Sequence, residues 1–182
     1  MAAAAQDWRN EITQLIPALR AFAWSLSRNR SDADDLVQET LAKALTNRDR
    51  FEPGTNLRAW LFTILRNTYY SNALRRRREI RDETGAYAMS LACPPMQDWS
   101  LAMRALQAAL AELPDDHRDA LILVGGAGFS YEEAAEVCGC ALGTIKSRVN
   151  RARAKLLKLM DVKGASGVMA SDPLPSPAAG RR

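Results

Sequence analysis

Between Ala141 and Met160 the chain carries six cations, Lys146, Arg148, Arg151, Arg153, Lys155 and Lys158, and no carboxylate. Charge of one sign along one segment suits neutralisation of a polyanion, because helices that are merely solvated intersperse Glu with Lys and gain i,i+4 pairs from it. A second cationic block, Arg75-Arg76-Arg77-Arg78, follows a stretch where aromatic and amide side chains are interleaved with arginine: Trp60, Thr63, Arg66, Asn67 and Tyr70, with Phe51 in the turn before it. Rings for stacking and an amide beside guanidinium groups suit unpaired bases, whose faces and edges a duplex hides. Other chemistry is poorly supplied. With one imidazole, His117, and three cysteines, 93, 138 and 140, a zinc site or disulfide framework is a poor expectation. No G-x-S-x-G, P-loop or dinucleotide fingerprint occurs. No enzyme activity, metal or cofactor is expected, and the cysteines read as small buried residues of a reducing compartment.

The overall charge of +4 conceals where the charge lies. Residues 1–54 sum to −1, 55–79 to +5, 80–140 to −7, 141–160 to +6 and 161–182 to +1. Two basic blocks in an acidic background suggest two contacts on one long polyanion. Apolar runs fall well short of the roughly 20 residues that span a bilayer. The N-terminus lacks a basic segment followed by an apolar one, so a cytoplasmic protein is expected.

Helical periodicity supplies the elements that hold these groups. Trp8, Ile12, Leu15, Ile16, Leu19, Phe22, Ala23 and Leu26 recur at three- and four-residue steps, with Pro17 as a kink or restart. Ser31, with Asp34 three residues on, marks the start of a second helix whose buried stripe is Ala33, Leu36, Val37, Leu41, Ala44 and Leu45. A turn at Glu52-Pro53-Gly54 precedes a third helix over about 56–78, with Leu57, Trp60, Leu61, Ile64, Leu65 and Thr68 on one arc. Residues 80–97 lose the periodicity and read as a linker. Spacing resumes at Trp99, Met103, Leu106, Leu110 and Leu113, and a further helix covers about 115–124 before Gly125-Gly126-Ala127-Gly128. The segment from residue 162, with Pro173, Pro175 and Pro177, reads as a disordered tail. The expectation is an all-α chain of two small helical domains joined by a flexible linker: 8–79, the linker 80–97, 98–160 and the tail 161–182.

Within the second domain, Ser130-Tyr131-Glu132-Glu133 is a capping box, Gly139 suits a left-handed helix end, and a basic helix follows Ala141. Short helix, glycine turn and basic helix make a helix-turn-helix. At about 100° per residue, Ile145, Val149, Ala152, Leu156 and Leu159 share one face, and Ser147, Asn150, Arg151 and Lys158 lie opposite. Ser147 and Arg151 then point at base edges, while Lys146, Arg148 and Arg153 flank them toward phosphates. Some residues keep two readings. Trp60 also reads as a core residue, the arginine run also as a helix end favoured by the dipole, and Asp32 to Asp35 either as stabilisers of a helix N-terminus or as a protein-docking face.

Asp32-Ala33-Asp34-Asp35-Leu36-Val37-Gln38-Glu39-Thr40, then Asn56-Leu57-Arg58-Ala59-Trp60-Leu61-Phe62-Thr63-Ile64-Leu65-Arg66-Asn67, then Ser130-Tyr131-Glu132-Glu133-Ala134-Ala135 with Gly143-Thr144-Ile145-Lys146-Ser147-Arg148, together resemble the bacterial extracytoplasmic-function sigma factors over about residues 8–160. The resemblance implies an N-terminal domain that docks on the clamp helices of the largest RNA polymerase subunit and melts the −10 promoter element. It also implies a C-terminal domain that meets the flap of the second largest subunit and reads the −35 element. Carried over by motif, Asp32, Asp35, Gln38 and Glu39 face polymerase. Phe51, Trp60, Thr63, Arg66, Asn67, Tyr70, Arg75 and Arg76 serve the −10 strand, Phe51 and Asn67 bounding a pocket for a flipped base. Thr144, Lys146, Ser147, Arg148, Asn150, Arg151 and Arg153 serve the −35 duplex. The wording is similar to the general-stress subgroup, whose members are restrained by a small helical anti-sigma factor and freed by a response regulator carrying a sigma-like decoy domain. The alternative is an adaptor that mimics a sigma factor to sequester an anti-sigma factor without touching DNA. Such a decoy should lose the cations that this chain keeps.

Overall fold

The computed structural model describes residues 2–84 and 101–161. The greater part of the expected linker, which includes Cys93, the first residues of the expected second domain, which include Trp99, and the segment from residue 162 lie outside the described residues. The described chain forms seven α-helices and no strand: α1 (Ala2–Ser27), α2 (Arg30–Thr46), α3 (Leu57–Thr84), α4 (Leu101–Ala111), α5 (Asp115–Leu121), α6 (Tyr131–Cys138) and α7 (Leu142–Asp161). None of these helices is long and apolar enough to cross a membrane.

Several boundaries depart from the periodicity reading. Pro17 lies inside a continuous α1 and restarts nothing. Asn29, not Ser31, caps α2: its Oδ1 accepts from the backbone N–H groups of Ser31 and Asp32 at 2.9 and 3.4 Å. Arg28, at φ 57°, turns the chain sharply enough to place Asn29 there. Thr40 replaces Leu45 on the buried stripe of α2; Leu45 is 55% exposed and Thr40 fully buried. The Thr40 hydroxyl can enter the core because it donates to the Leu36 carbonyl at 2.7 Å. The third helix continues past residue 79 to Thr84, since Gly85 is the first strong helix breaker after the arginine run. α5 ends earlier than expected and passes into a π-helical turn, Ile122–Gly126, closed by the Ala127 N–H on the Ile122 carbonyl at 2.7 Å.

Helices α1, α2 and α3 pack on one another through Leu19, Phe22, Leu36, Val37, Leu61 and Leu65. α5 and α6 pack on α7 through Ala120, Ala134, Val137, Ile145 and Val149. The two groups do not keep separate cores. α3 lies against α6, and Phe62, stacked on Phe22 at 5.2 Å, meets Phe129 edge-on at 4.8 Å, so one apolar cluster runs from Trp8 to Val149. A smaller cluster of Ala109, Leu156 and Met160 ties α4 to α7.

Candidate nucleic-acid interface

The helix-turn-helix forms as its local chemistry dictates. The Ser130 hydroxyl accepts from the Glu133 N–H at 3.1 Å and the Glu133 carboxylate accepts from the Ser130 N–H at 2.8 Å, so two orphan donors of α6 are satisfied reciprocally. At the other end Gly139 takes φ 61°, its N–H donates to Glu136 and that of Cys140 to Ala135, a Schellman closure. α7 then buries Ile145, Val149, Ala152, Leu156 and Met160. Leu159, expected in that stripe, is half-buried, and Met160 takes its place. With this face pinned, Lys146, Asn150 and Arg151 are exposed, and Thr144, Ser147 and Arg153 half-exposed. Two expected contacts are committed within the protein. The Ser147 hydroxyl donates to the Thr144 carbonyl at 2.9 Å, and Arg148 bonds Asp116 of α5 at 2.6 Å while approaching the Cys140 sulfur at 3.6 Å.

The surface of α3 divides. Phe51 and Trp60 are half-buried and pack together with centroids 5.3 Å apart, so both belong partly to the core. Asn67 is exposed, but seven residues beyond Trp60, roughly 10 Å along the axis. Its neighbours are in a polar cleft of about 650 Å³ lined by Arg66, Asn67, Tyr70, Ser71, Asp115 and Asp116. The Thr63 hydroxyl donates to the Ala59 carbonyl at 2.9 Å. Arg75 and Arg76 lie on an exposed part of the helix. Arg66 and Tyr70 are half-buried, and both donate to Asp119 of α5. Burial, then the neighbouring Asp119 carboxylate, pushes the Tyr70 phenol upward, so it remains a hydrogen-bond donor at neutral pH. Sequence reasoning missed the partners on the far side: Arg58 donates to the Ala127 carbonyl, Asn56 to Glu133 at 2.5 Å, and Arg28 to the Ala111 carbonyl at 3.3 Å. No local signal gives pairs separated by tens of residues.

On α2, Asp35 and Gln38 are exposed and Asp32 is half-exposed. Glu39 is bound on two sides, by Lys43 at 2.8 Å and by Asn72 of α3 at 2.7 Å. The Lys43 hydrogen bond, against partial desolvation and with help from Asn72, holds its carboxyl below the usual range.

Comparison with known proteins places this geometry. Residues 12–79 match the family described as Sigma-70 region 2, and residues 103–156 match Sigma-70, region 4. The chain is 59% identical over 157 residues to the ECF RNA polymerase sigma factor EcfG of Rhodopseudomonas palustris, covering 86% of this chain and 87% of that one. It is also similar to the sigma factor RpoE from Bartonella quintana, solved in complex with the anti-sigma factor NepR: 52% identity, TM-score 0.77, 86% of this chain and 98% of that one. CnrH, solved with the cytosolic domain of CnrY, is 27% identical with a TM-score of 0.68, covering 88% and 91% of the two chains.

Proposed function

The chain belongs to the extracytoplasmic-function sigma factors of bacterial RNA polymerase, and from that premise we propose how its own residues divide the work. As a sigma factor it is a transcription regulator rather than an enzyme: it joins core polymerase, recognises promoter DNA and starts transcription. The exposed, carboxylate-free face of α7 is the observation that carries the duplex assignment. Lys146, Asn150 and Arg151 enter the major groove of the −35 element, with Thr144, Ser147 and Arg153 at its margins. Arg148 joins them only when its bond to Asp116 is exchanged for one to phosphate.

The −10 strand falls to α3. Asn67 offers a donor and an acceptor to a base edge, Thr63 and Tyr70 lie about one turn either side of it, Arg66 is its immediate neighbour, and Arg75 and Arg76 follow the backbone. The Phe51 and Trp60 pair supplies an aromatic wall at the other end of that arc. Asp35 and Gln38, with Asp32 and Glu39 beside them, form the acidic face offered to the polymerase clamp. The units doing this are residues 8–79 and 98–160. A small helical anti-sigma factor is a partner, the genes served belong to a stress response, and the setting is the cytoplasm; similarity to EcfG and to RpoE bound to NepR supports this.

Run-off transcription with purified core polymerase and a pool of promoters tests the function. Discrete start sites should appear only when the folded chain is added. Tight sequence-specific binding by the chain alone, without polymerase-dependent transcripts, would instead mark a stand-alone repressor or activator.

A further inference from the structure

Among the contacts that join the two helical groups, two fall on side chains of α3 assigned above to an unpaired strand, Arg66 and Tyr70. Asp119 has no solvent exposure, and its Oδ2 accepts from Arg66 Nε at 2.9 Å and from the Tyr70 hydroxyl at 2.8 Å. Its Oδ1 has no protein donor. Around this point the seam is aromatic and cationic: the Arg58 guanidinium lies 4.2 Å from the centroid of Phe129 while also donating to Ala127.

We propose that Asp119 is an internal latch, its carboxylate occupying the guanidinium and phenol site on α3 that a phosphate of the promoter strand takes once the chain opens. The inference rests on the strand assignment of α3 made above. A carboxylate and a phosphate are both acceptor-only anions that suit a guanidinium and a hydroxyl, so one substitutes for the other at the same donors. Arg66 and Tyr70 cannot serve both at once while Asp119 stays buried between them. Stability alone does not explain the arrangement, because a buried carboxylate with one oxygen unpaired is a poor stabiliser compared with apolar packing. It does explain a closed state that a competing polyanion can undo. Removing one partner of a buried pair leaves the other uncompensated, so loss of the Asp119 charge penalises the closed state specifically.

The full chain carrying Asp119→Asn is compared with wild type by small-angle X-ray scattering and by fluorescence anisotropy with a labelled 12-nucleotide oligothymidine, without polymerase. The variant should show a larger radius of gyration and bind the oligonucleotide at least about tenfold more tightly, as removal of a closed state requires. Asp115→Asn, which removes a carboxylate of the same cleft bonded to Arg118 of its own helix rather than to α3, should leave the radius unchanged. An Asp119→Asn chain that is helical by circular dichroism yet as compact as wild type overturns the latch. So does tighter binding with an equal gain from Asp115→Asn, which would reduce the effect to net charge. If Asp119→Asn fails to fold, Tyr70→Phe weakens the same latch from the α3 side and is read by scattering alone; an unchanged radius there overturns it equally. Run-off transcription by wild type separates the two failures: compactness reports on the latch whether or not the strand assignment holds.

Discussion

Phe129 packs into the seam between the helical groups from the C-terminal side. It is 3% exposed, meets Phe62 at 4.8 Å and lies under Arg58 at 4.2 Å. Phe129→Ala forfeits about 1.5–3 kcal/mol of transfer free energy, about 0.5–1.5 from the edge-to-face pair and about 0.5–2 from the cation–π contact. The sum agrees with the roughly 3–5 kcal/mol typical of Phe to Ala in a core. For a chain of this size about 2–4 °C accompanies each kcal/mol, so melting should fall by about 6–20 °C. Because the contacts bridge two groups that otherwise pack internally, the loss should also uncouple them. Differential scanning calorimetry of the full chain should then show two transitions in place of one. A single transition within about 2 °C of wild type would refute the continuous core.

Three further outcomes follow from the surface. Arg151→Ala, which leaves the buried stripe of α7 intact, should relax −35 discrimination in transcription by about 1–3 kcal/mol; unchanged discrimination and salt dependence would remove Arg151 from the interface. Asn67→Ala should preserve melting temperature and polymerase affinity while reducing permanganate reactivity of thymines on a duplex promoter, and equal reactivity would refute its place at the opened strand. Burial pushes the Cys138 thiol up to about 11, above the roughly 8.5 of a free thiol. The folded state therefore holds this proton more tightly, a contribution to stability complete below pH about 8.5 and lost as pH rises from there through 11. Iodoacetamide should label folded Cys138 much more slowly than the urea-unfolded chain at pH 8 and accelerate toward pH 11, with equal rates at pH 8 contradicting the burial.

What was legible in the sequence was what is decided locally. The box at Ser130 and Glu133 and the left-handed Gly139 formed as expected because each depends on residues within one turn. The start of α2 is ambiguous in the sequence because Asn29 and Ser31 are both good caps, and the backbone at Arg28 decides between them. Thr40 does not read as a core residue in the sequence, because a hydroxyl counts as polar until its bond to the Leu36 carbonyl is known. The basic face of α7 was visible, but the commitment of Arg148 was not, since Asp116 is 32 positions away. Asp119 illustrates the limit best. In sequence it is one more acid in Asp115-Asp116-His117-Arg118-Asp119, and only the packing of α5 on α3 makes it a buried acceptor for Arg66 and Tyr70.

Because the two helical groups belong to one chain, separated between Thr84 and Leu101 by the 16 residues 85–100, their seam is an intramolecular complex. Tethers of this length hold partners at effective concentrations on the order of millimolar. A seam whose untethered dissociation constant were about 10 μM would therefore be closed about 100-fold over open, and any ligand needing the face of α3 would bind about 100-fold more weakly than its intrinsic affinity. Raising the amount of protein does not change that ratio, since the competitor is always present at one copy per chain. Only a surface that engages both groups at once, or grips one of them far more tightly, escapes the handicap.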